Sequence, residues 1–317
     1  MLTIFSPPKP FDGHIGLIQR NAIKSWLQLG IDIEVLLIGD EEGIEETARE
    51  LGVRHLSGVE RNEQGTPLVN SIFQLAESKG GSSTFCYVNA DMIFTQDLLS
   101  SASIVSERFE RFLLIGQRWD LKVEEPLSFV EGWENDLRRE IQKRGSLHPP
   151  AGSDYFIYPR GLFENMPPFA LGRAGWDNWM IFAARSNGVP VVDATKAITT
   201  VHQDHDYGHL PGGQPHYGLP ESKENVRLAG GQEVIFTLHD ADWTITEDGL
   251  RKKPLHKRWN LRGLEASMIA RFGAGKSSRA VRLILHPRDG WLYLRQLVNH
   301  RLLGNQGSQT KSIDSRS

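Results

Sequence analysis

Apolar residues in the first half of the chain switch repeatedly between two spacings. Leu2, Ile4 and Phe5 make a short apolar run that Pro7, Pro8 and Pro10 end, which predicts a strand. From Gly16 the apolar positions Leu17, Ile18, Ala22, Ile23, Trp26 and Leu27 recur at helical spacing, and Gly30 stops them. Residues 33–39 read as a β-branched strand running into an acidic loop, and 44–51 as a helix with Gly52 at its stop. Residues 53–56 read as a third strand, 68–78 as a third helix and 85–88 as a fourth strand. This β-α-β-α-β-α-β order predicts a parallel sheet with helices on both faces.

The pattern then loosens. Residues 113–116, 155–158 and 190–193 read as strands and 177–186 as a helix, while Trp119, Trp133, Trp176, Trp179 and Trp243 gather in this half. Further on, Leu261, Leu264, Met268 and Ile269 repeat at helical spacing behind a basic stretch. Asp289 would cap a helix carrying Trp291, Leu294, Leu297, Val298 and Leu302 on one side. Residues 304–317 are polar, with little to bury, and are expected to be disordered.

Charge sharpens that division. The 317 residues carry 36 Lys+Arg against 39 Asp+Glu. Residues 1–250 hold 21 basic and 36 acidic side chains, and the remainder holds 15 and 3. Basic amphipathic helices at 251–303 would suit an anionic membrane surface or an acidic partner, including this protein's own body. No nucleic-acid-binding motif accompanies the charge, so nucleic acid is not an expected partner. The single cysteine excludes an internal disulfide and a Cys-based metal centre. Residues 1–8 lack a basic segment followed by an apolar run, and no stretch approaches 18 uncharged apolar residues. The expectation is a cytosolic protein, peripheral at most to the inner face of a membrane.

In a sheet of this kind ligands bind beyond the carboxyl ends of the strands, which here are residues 6–9, 39–42, 59–66 and 89–91. Neither a G-x-G-x-x-G nor a G-x-x-x-x-G-K-[ST] follows the first strand. Asn89-Ala90-Asp91 leaves an apolar strand, and Asp91 there either caps a turn or holds Mg²⁺ or Mn²⁺ against a nucleoside diphosphate. In Gly172-Arg173-Ala174-Gly175-Trp176-Asp177-Asn178-Trp179, a glycine-rich loop delivers one carboxylate between two indoles to a helix start. Asp177 either caps that helix or acts chemically, and indole faces suit the C–H face of a sugar. His202, His205 and His209 with Asp204 and Asp206 form a dense group of metal or phosphate ligands, or a polar surface.

With these segments in this order, the chain resembles nucleotide-sugar-dependent glycosyltransferases of the GT-A fold. It looks closest to a bacterial and plant branch similar to glycosyltransferase family 2, with Glu-Arg-Asn-Glu-x-Gly-Thr-Pro at 60–67. The resemblance runs from Leu2 to His209 and implies a mostly parallel α/β sheet flanked by helices; with the charge division, that domain is expected over 1–250, while the basic helices at 251–303 and the tail at 304–317 lie outside the resemblance. It implies that Ser6, Pro7 and Asp40 surround the base and ribose, and that Arg61, Asn62 and Thr66 lie near the ribose or diphosphate. Asn89 and Asp91 would be the DxD equivalent, with Asp91, His202 and His205 as metal ligands. Asp154, Trp176 and Trp179 would line the donor or acceptor pocket and Asp177 would be the general base; Arg118 and Trp119, which follow a strand, would line that pocket too, unless Arg118 is a surface ion-pair partner. The implied reaction is an inverting, metal-dependent transfer of a sugar to a carbohydrate or lipid-linked acceptor. Asn89 replaces the first carboxylate of the motif and brings no charge to the cation. The alternatives are a metal-dependent hydrolase, a nucleotidyltransferase, and a non-catalytic nucleotide-sugar binding protein.

Overall fold

The first strand, β1 (Leu2–Ser6), is buried at every position, which is why its apolar residues Leu2, Ile4 and Phe5 fall on both faces. It pairs in parallel with β2 (Ile33–Ile38) on one side and β4 (Thr84–Val88) on the other, and β2 pairs in parallel with β3 (Arg54–Leu56). The crossovers are α1 (Gly13–Leu27), α2 (Ile44–Leu51) and α3 (Val69–Lys79). Gly52 ends α2 in the left-handed region, φ 70°, where a side chain would be strained. This is the alternation that the hydrophobic pattern predicts.

The computed structural model describes residues 1–205, 218–253, 268–269 and 271–272. The chain divides into two units, Met1–Pro254 and Leu255–Ser317, and both sheets with their flanking helices lie in the first. The helices expected around Leu261 and Trp291, the stretch 304–317 and His209 lie outside the described residues. Among the described residues no helix is long and apolar enough to cross a membrane.

Beyond β4 the chain forms β5 (Met92–Phe94), α4 (Asp97–Arg108), β6 (Leu113–Ile115), β7 (Trp119–Leu121), α5 (Trp133–Arg144), β8 (Ser146–Leu147) and β9 (Tyr155–Pro159). Then come α6 (Trp176–Ser186), β10 (Val191–Asp193), β11 (Thr200–Gln203), α7 (Pro220–Ala229), β12 (Trp243–Thr246) and β13 (Gly249–Lys252). The main sheet has the order β13-β12-β10-β6-β9-β4-β1-β2-β3. It is mostly parallel. Strand β9 runs antiparallel between β4 and β6, and β13 antiparallel on β12. A smaller sheet, β5-β11-β7-β8, is built from strands of two to four residues.

The principal core joins Ile4, Trp26, Leu37, Cys86, Val88, Phe94, Tyr155 and Ile157 between the main sheet and its helices. Cys86 is fully buried and behaves as a small apolar side chain, with burial pushing its thiol pKa up. The small sheet buries a separate cluster of Ile93, Leu121, Val123, Leu137, Ile141 and Val201. Its opposite face carries Asp120 and His202 beside Met92 and Phe94, which belong to the principal core.

Candidate functional site

Asp91 leaves β4 at its carboxyl end and is followed at once by β5. Its backbone is clamped: Gln203 donates from its main-chain N–H (3.2 Å) and from Nε2 (3.0 Å) to the Asp91 carbonyl. The same Gln203 amide donates to the Ile18 carbonyl and accepts from Asn21, so α1 and β11 hold Asp91 together. Gln203 is fully buried, and nothing in its local sequence marks it for this task.

The register of β11 places the side chains around that anchor. His202 pairs with Asp120 of β7 and with Met92 of β5, while Val201 pairs with Trp119 and Ile93. Alternation therefore sends Val201 into the apolar cluster and His202 to the Asp120 face. His202 Nε2 lies 3.7 Å from Asp91 Oδ2, and Nδ1 lies 3.5 Å from Asp120 Oδ1 and 3.4 Å from Asp204 Oδ1. His205 Nε2 lies 3.2 Å from the same Asp91 oxygen, and Lys9 Nζ lies 3.5 Å from that His205 nitrogen.

The ligand atoms of Asp91, His202 and His205 all lie within 4.8 Å of one another, as do those of Asp120, His202 and Asp204. Asp91 Oδ1 is buried without a hydrogen-bond partner among the described residues. An unpaired buried carboxylate oxygen is costly, and a carboxylate with that oxygen open and two imidazoles facing the other, Oδ2, fits a divalent cation. Carboxylate with imidazole suits Mn²⁺ better than Mg²⁺, which favours oxygen donors throughout.

The electrostatics follow from this crowding. Burial opposes ionisation of Asp91, but His202, the His205 hydrogen bond and Lys9 outweigh it and hold the carboxyl well below its usual range. Asp120 is also opposed by burial and is held low by His202, His148 and Arg118. Burial disfavours the charged imidazole of His202, yet Asp91, Asp120 and Asp204 raise its pKa to about 9. Burial lowers the Lys9 pKa, against the attraction of Asp91.

A connected network stands beside the cluster. Asn89 Nδ2 donates to Asp154 Oδ1 at 2.7 Å, and Asn89 Oδ1 accepts the Tyr87 hydroxyl at 3.0 Å. Arg118 bridges Asp154 and Asp120, donating Nε to Asp120 Oδ1 at 3.0 Å. His148 Nδ1 lies 2.8 Å from Asp120 Oδ2. The structure thus brings together Asn89, Asp91, Arg118, Asp154, His202 and His205. It adds Lys9, Asp120, His148 and Gln203, whose convergence no local pattern announces. Trp119 stands half-buried in β7 and packs its ring against the small-sheet cluster.

The residues expected at the nucleotide lie at the end of β1 and beyond β1, β2 and β3. Ser6 is buried, and its hydroxyl donates to the Val88 carbonyl at 2.6 Å, so it fastens β1 to β4. Pro7 is half-buried. The Asp40 carboxylate accepts the backbone N–H groups of Gly58 (2.9 Å) and Val59 (3.3 Å). Arg61 pairs with Glu41 at 2.7 Å. Asn62 accepts from the Gln64 and Thr66 backbones and donates to Glu221 at 2.8 Å. Glu221 also accepts Arg173 Nε at 2.8 Å, and through Asn62 it ties the 60–67 loop to α7.

At the start of α6, Gly175 has φ +106° and a Cβ there would press on Val226 at 3.3 Å, which explains a glycine before Trp176. Burial pushes the Asp177 pKa up, against the backbone N–H groups of Asn178, Gly175, Asp177 and Ser153, which lower it. Ser153 belongs to the loop that also carries Asp154, so Asp177 stands one loop away from the Asp91 and His202 cluster. Both indoles are taken up in packing. Trp176 is 6% exposed and contacts Phe73, Tyr87 and Phe156, and Trp179 packs on Phe163 and Phe169. The open sugar platform expected of Trp176 is instead part of the aromatic core, because rings from α3, β4 and β9 converge on it.

No family model and no curated protein matches the chain. Among solved structures it is similar to S. aureus TarS 1-349 in complex with UDP-GlcNAc, at 12% identity and TM-score 0.48, over 90% of this chain and 79% of that one. It is also similar to M. tuberculosis glucosyl-3-phosphoglycerate synthase, at 14% identity and TM-score 0.43, over 73% and 81%. The same synthase with Mn²⁺, UDP and glucosyl-3-phosphoglycerate matches at 13% identity and TM-score 0.44, over 73% and 80%. Likeness at this level leaves function to the site's own side chains.

Proposed function

We propose that this protein is a GT-A-type glycosyltransferase that moves a sugar from a nucleoside-diphosphate donor to an acceptor hydroxyl with inversion. The observation that carries the reading is Asp91: a carboxylate at the end of β4 with one oxygen unpaired and two imidazoles facing the other. Asp91, His202 and His205 would hold a divalent cation, Mn²⁺ or Mg²⁺, which when bound supplies Lewis-acid stabilisation to the departing diphosphate. Asp177 takes the acceptor's hydroxyl proton as that oxygen attacks the anomeric carbon. The bond from that carbon to the phosphate oxygen breaks, and the nucleoside diphosphate leaves with the electron pair. Ser6, Pro7 and Asp40 would surround the base and ribose, and Arg61, Asn62 and Thr66, in the loop beyond β3, would lie near the ribose or diphosphate.

Residues 1–250 are assigned to catalysis, 251–303 to a basic attachment and 304–317 to a tail. The 15 basic and 3 acidic side chains after Leu250 support placement at the cytoplasmic face of an anionic membrane, with a carbohydrate or lipid-linked acceptor.

The test is a panel of nucleotide-sugars scored for nucleoside-diphosphate release with Mn²⁺ and with EDTA, in the wild type and in Asp91→Ala. Metal-dependent release that Asp91→Ala loses is expected. If no nucleotide-sugar is bound or turned over, the reading fails. A second reading, a metal-dependent hydrolase, gains from Asp91 converging on the histidines from the main sheet. It predicts product release that ignores any acceptor.

A further inference from the structure

Lys9 lies in the turn between β1 and α1, where Pro7, Pro8 and Pro10 restrict the backbone around it. Gln19, itself buried, closes both main-chain groups of Lys9: the Lys9 N–H donates to Gln19 Oε1 at 2.7 Å, and Gln19 Nε2 donates to the Lys9 carbonyl at 2.9 Å. From this fixed base the half-buried side chain reaches to 3.5 Å from His205 Nε2, the nitrogen that is 3.2 Å from Asp91 Oδ2. Among the described residues no carboxylate is in ion-pair contact with Lys9. Ordering a long stem costs side-chain entropy, and a half-buried ammonium that feels Asp91 only from beyond ion-pair contact is costly too. Both costs are offset where an anion completes the arrangement.

The charge count at the cluster points the same way. Asn89 is neutral, and both ends of its amide are engaged by Asp154 and Tyr87, so Asp91 is the carboxylate that faces the imidazoles from this turn. With one carboxylate instead of two, a divalent cation is held less tightly. A fixed ammonium beside the same cluster adds positive charge in a form that chelators cannot remove.

We propose that Lys9 binds the diphosphate of the substrate directly, sharing with the cation the neutralisation of the leaving group. Lysine acts in such a role as a point-charge donor to phosphate oxygens. The identity of the ligand as a nucleoside diphosphate rests on the transferase reading. Recognition of a diphosphate by Lys9 does not.

The probe is inorganic pyrophosphate, titrated calorimetrically into the full chain in EDTA. The wild type is expected to bind, Lys9→Met to bind about tenfold or more weakly, and Lys9→Arg to stay within about threefold of the wild type. Mn²⁺ affinity, read separately by electron paramagnetic resonance, should hold or rise in Lys9→Met, because a neighbouring positive charge has gone. Lys9→Gln provides a second neutral variant should methionine disturb the turn. Absence of binding by the wild type, equal pyrophosphate affinity in the neutral variants, or a parallel fall in Mn²⁺ affinity would overturn the proposal. Lys9-dependent pyrophosphate binding in a protein that turns over no nucleotide-sugar would keep this inference and remove the transferase reading. Turnover with pyrophosphate affinity indifferent to Lys9 would do the reverse.

Discussion

Asn89 donates its side-chain amide to Asp154 across the antiparallel seam of β4 and β9, at 2.7 Å. Asn89 is therefore a structural connector: it joins the end of β4, beside the proposed cation ligand Asp91, to the loop of Ser153 and Asp154 that leads into β9.

Replacing that amide by a carboxylate tests this. Asn89→Asp would set two carboxylates at hydrogen-bond distance and lose the donor. We expect about 1–3 kcal/mol of lost stability in denaturant unfolding, with no gain in Mn²⁺ affinity. A variant of unchanged stability that bound Mn²⁺ more tightly would show that the position is free to act as a ligand.

Asp177→Asn should lower kcat by about a hundredfold to ten-thousandfold while sparing donor affinity. The acting form is the carboxylate, and burial raises its pKa. Activity should therefore fall with acid at a higher pH than an exposed aspartate would give, and the variant should lose that acid limb. A pH–rate profile in both proteins decides it; undiminished turnover would restrict Asp177 to capping α6.

Trp176→Ala opens a cavity among Phe73, Tyr87 and Phe156. The expected cost is about 3–5 kcal/mol in chemical denaturation, as for large aromatic truncations elsewhere. A stable variant with selectively weakened sugar binding would return the indole to the pocket.

Glu34 offers a test of acid stability away from the site. Burial opposes its ionisation, but the Gly81 N–H (2.7 Å), the Thr3 hydroxyl (2.7 Å) and Arg54 prevail and lower its pKa from 4.5. A carboxylate with a depressed folded pKa stabilises above its unfolded value, and that contribution disappears as pH falls through the folded one. Glu34→Gln should thus cost about 1 kcal/mol at pH 7, discounted for the exposed Arg54 end. Its deficit against the wild type should shrink below pH 4.5 in thermal melts.

The part of this molecule that reads directly from the sequence is the part whose contacts are local. Helix α2 spans the expected 44–51, and β4 differs from 85–88 by one residue at its start, because apolar spacing and glycine stops are short-range signals. Helix α5 leaves no such signal, because its buried residues are Leu137 and Ile141, too few to set a period. Strands β5, β7, β8 and β11 are too short to show alternation. His202 is legible in the sequence as a ligand type but not as a strand residue. Asp120 meets His148 across 28 positions and Gln203 meets Asp91 across 112, so their roles exist only once the strands have paired.

The four-residue strand β11 has a practical consequence for anyone altering this protein. Opposite faces of it serve opposite purposes, with Val201 for packing and His202 for the cluster, and Gln203 pins the chain to Asp91. Adding or removing one residue between Thr200 and Gln203 would exchange those faces, burying the imidazole and presenting valine to the carboxylates. Point changes here trade one contact for another, whereas a single-codon insertion would cancel the site at a stroke.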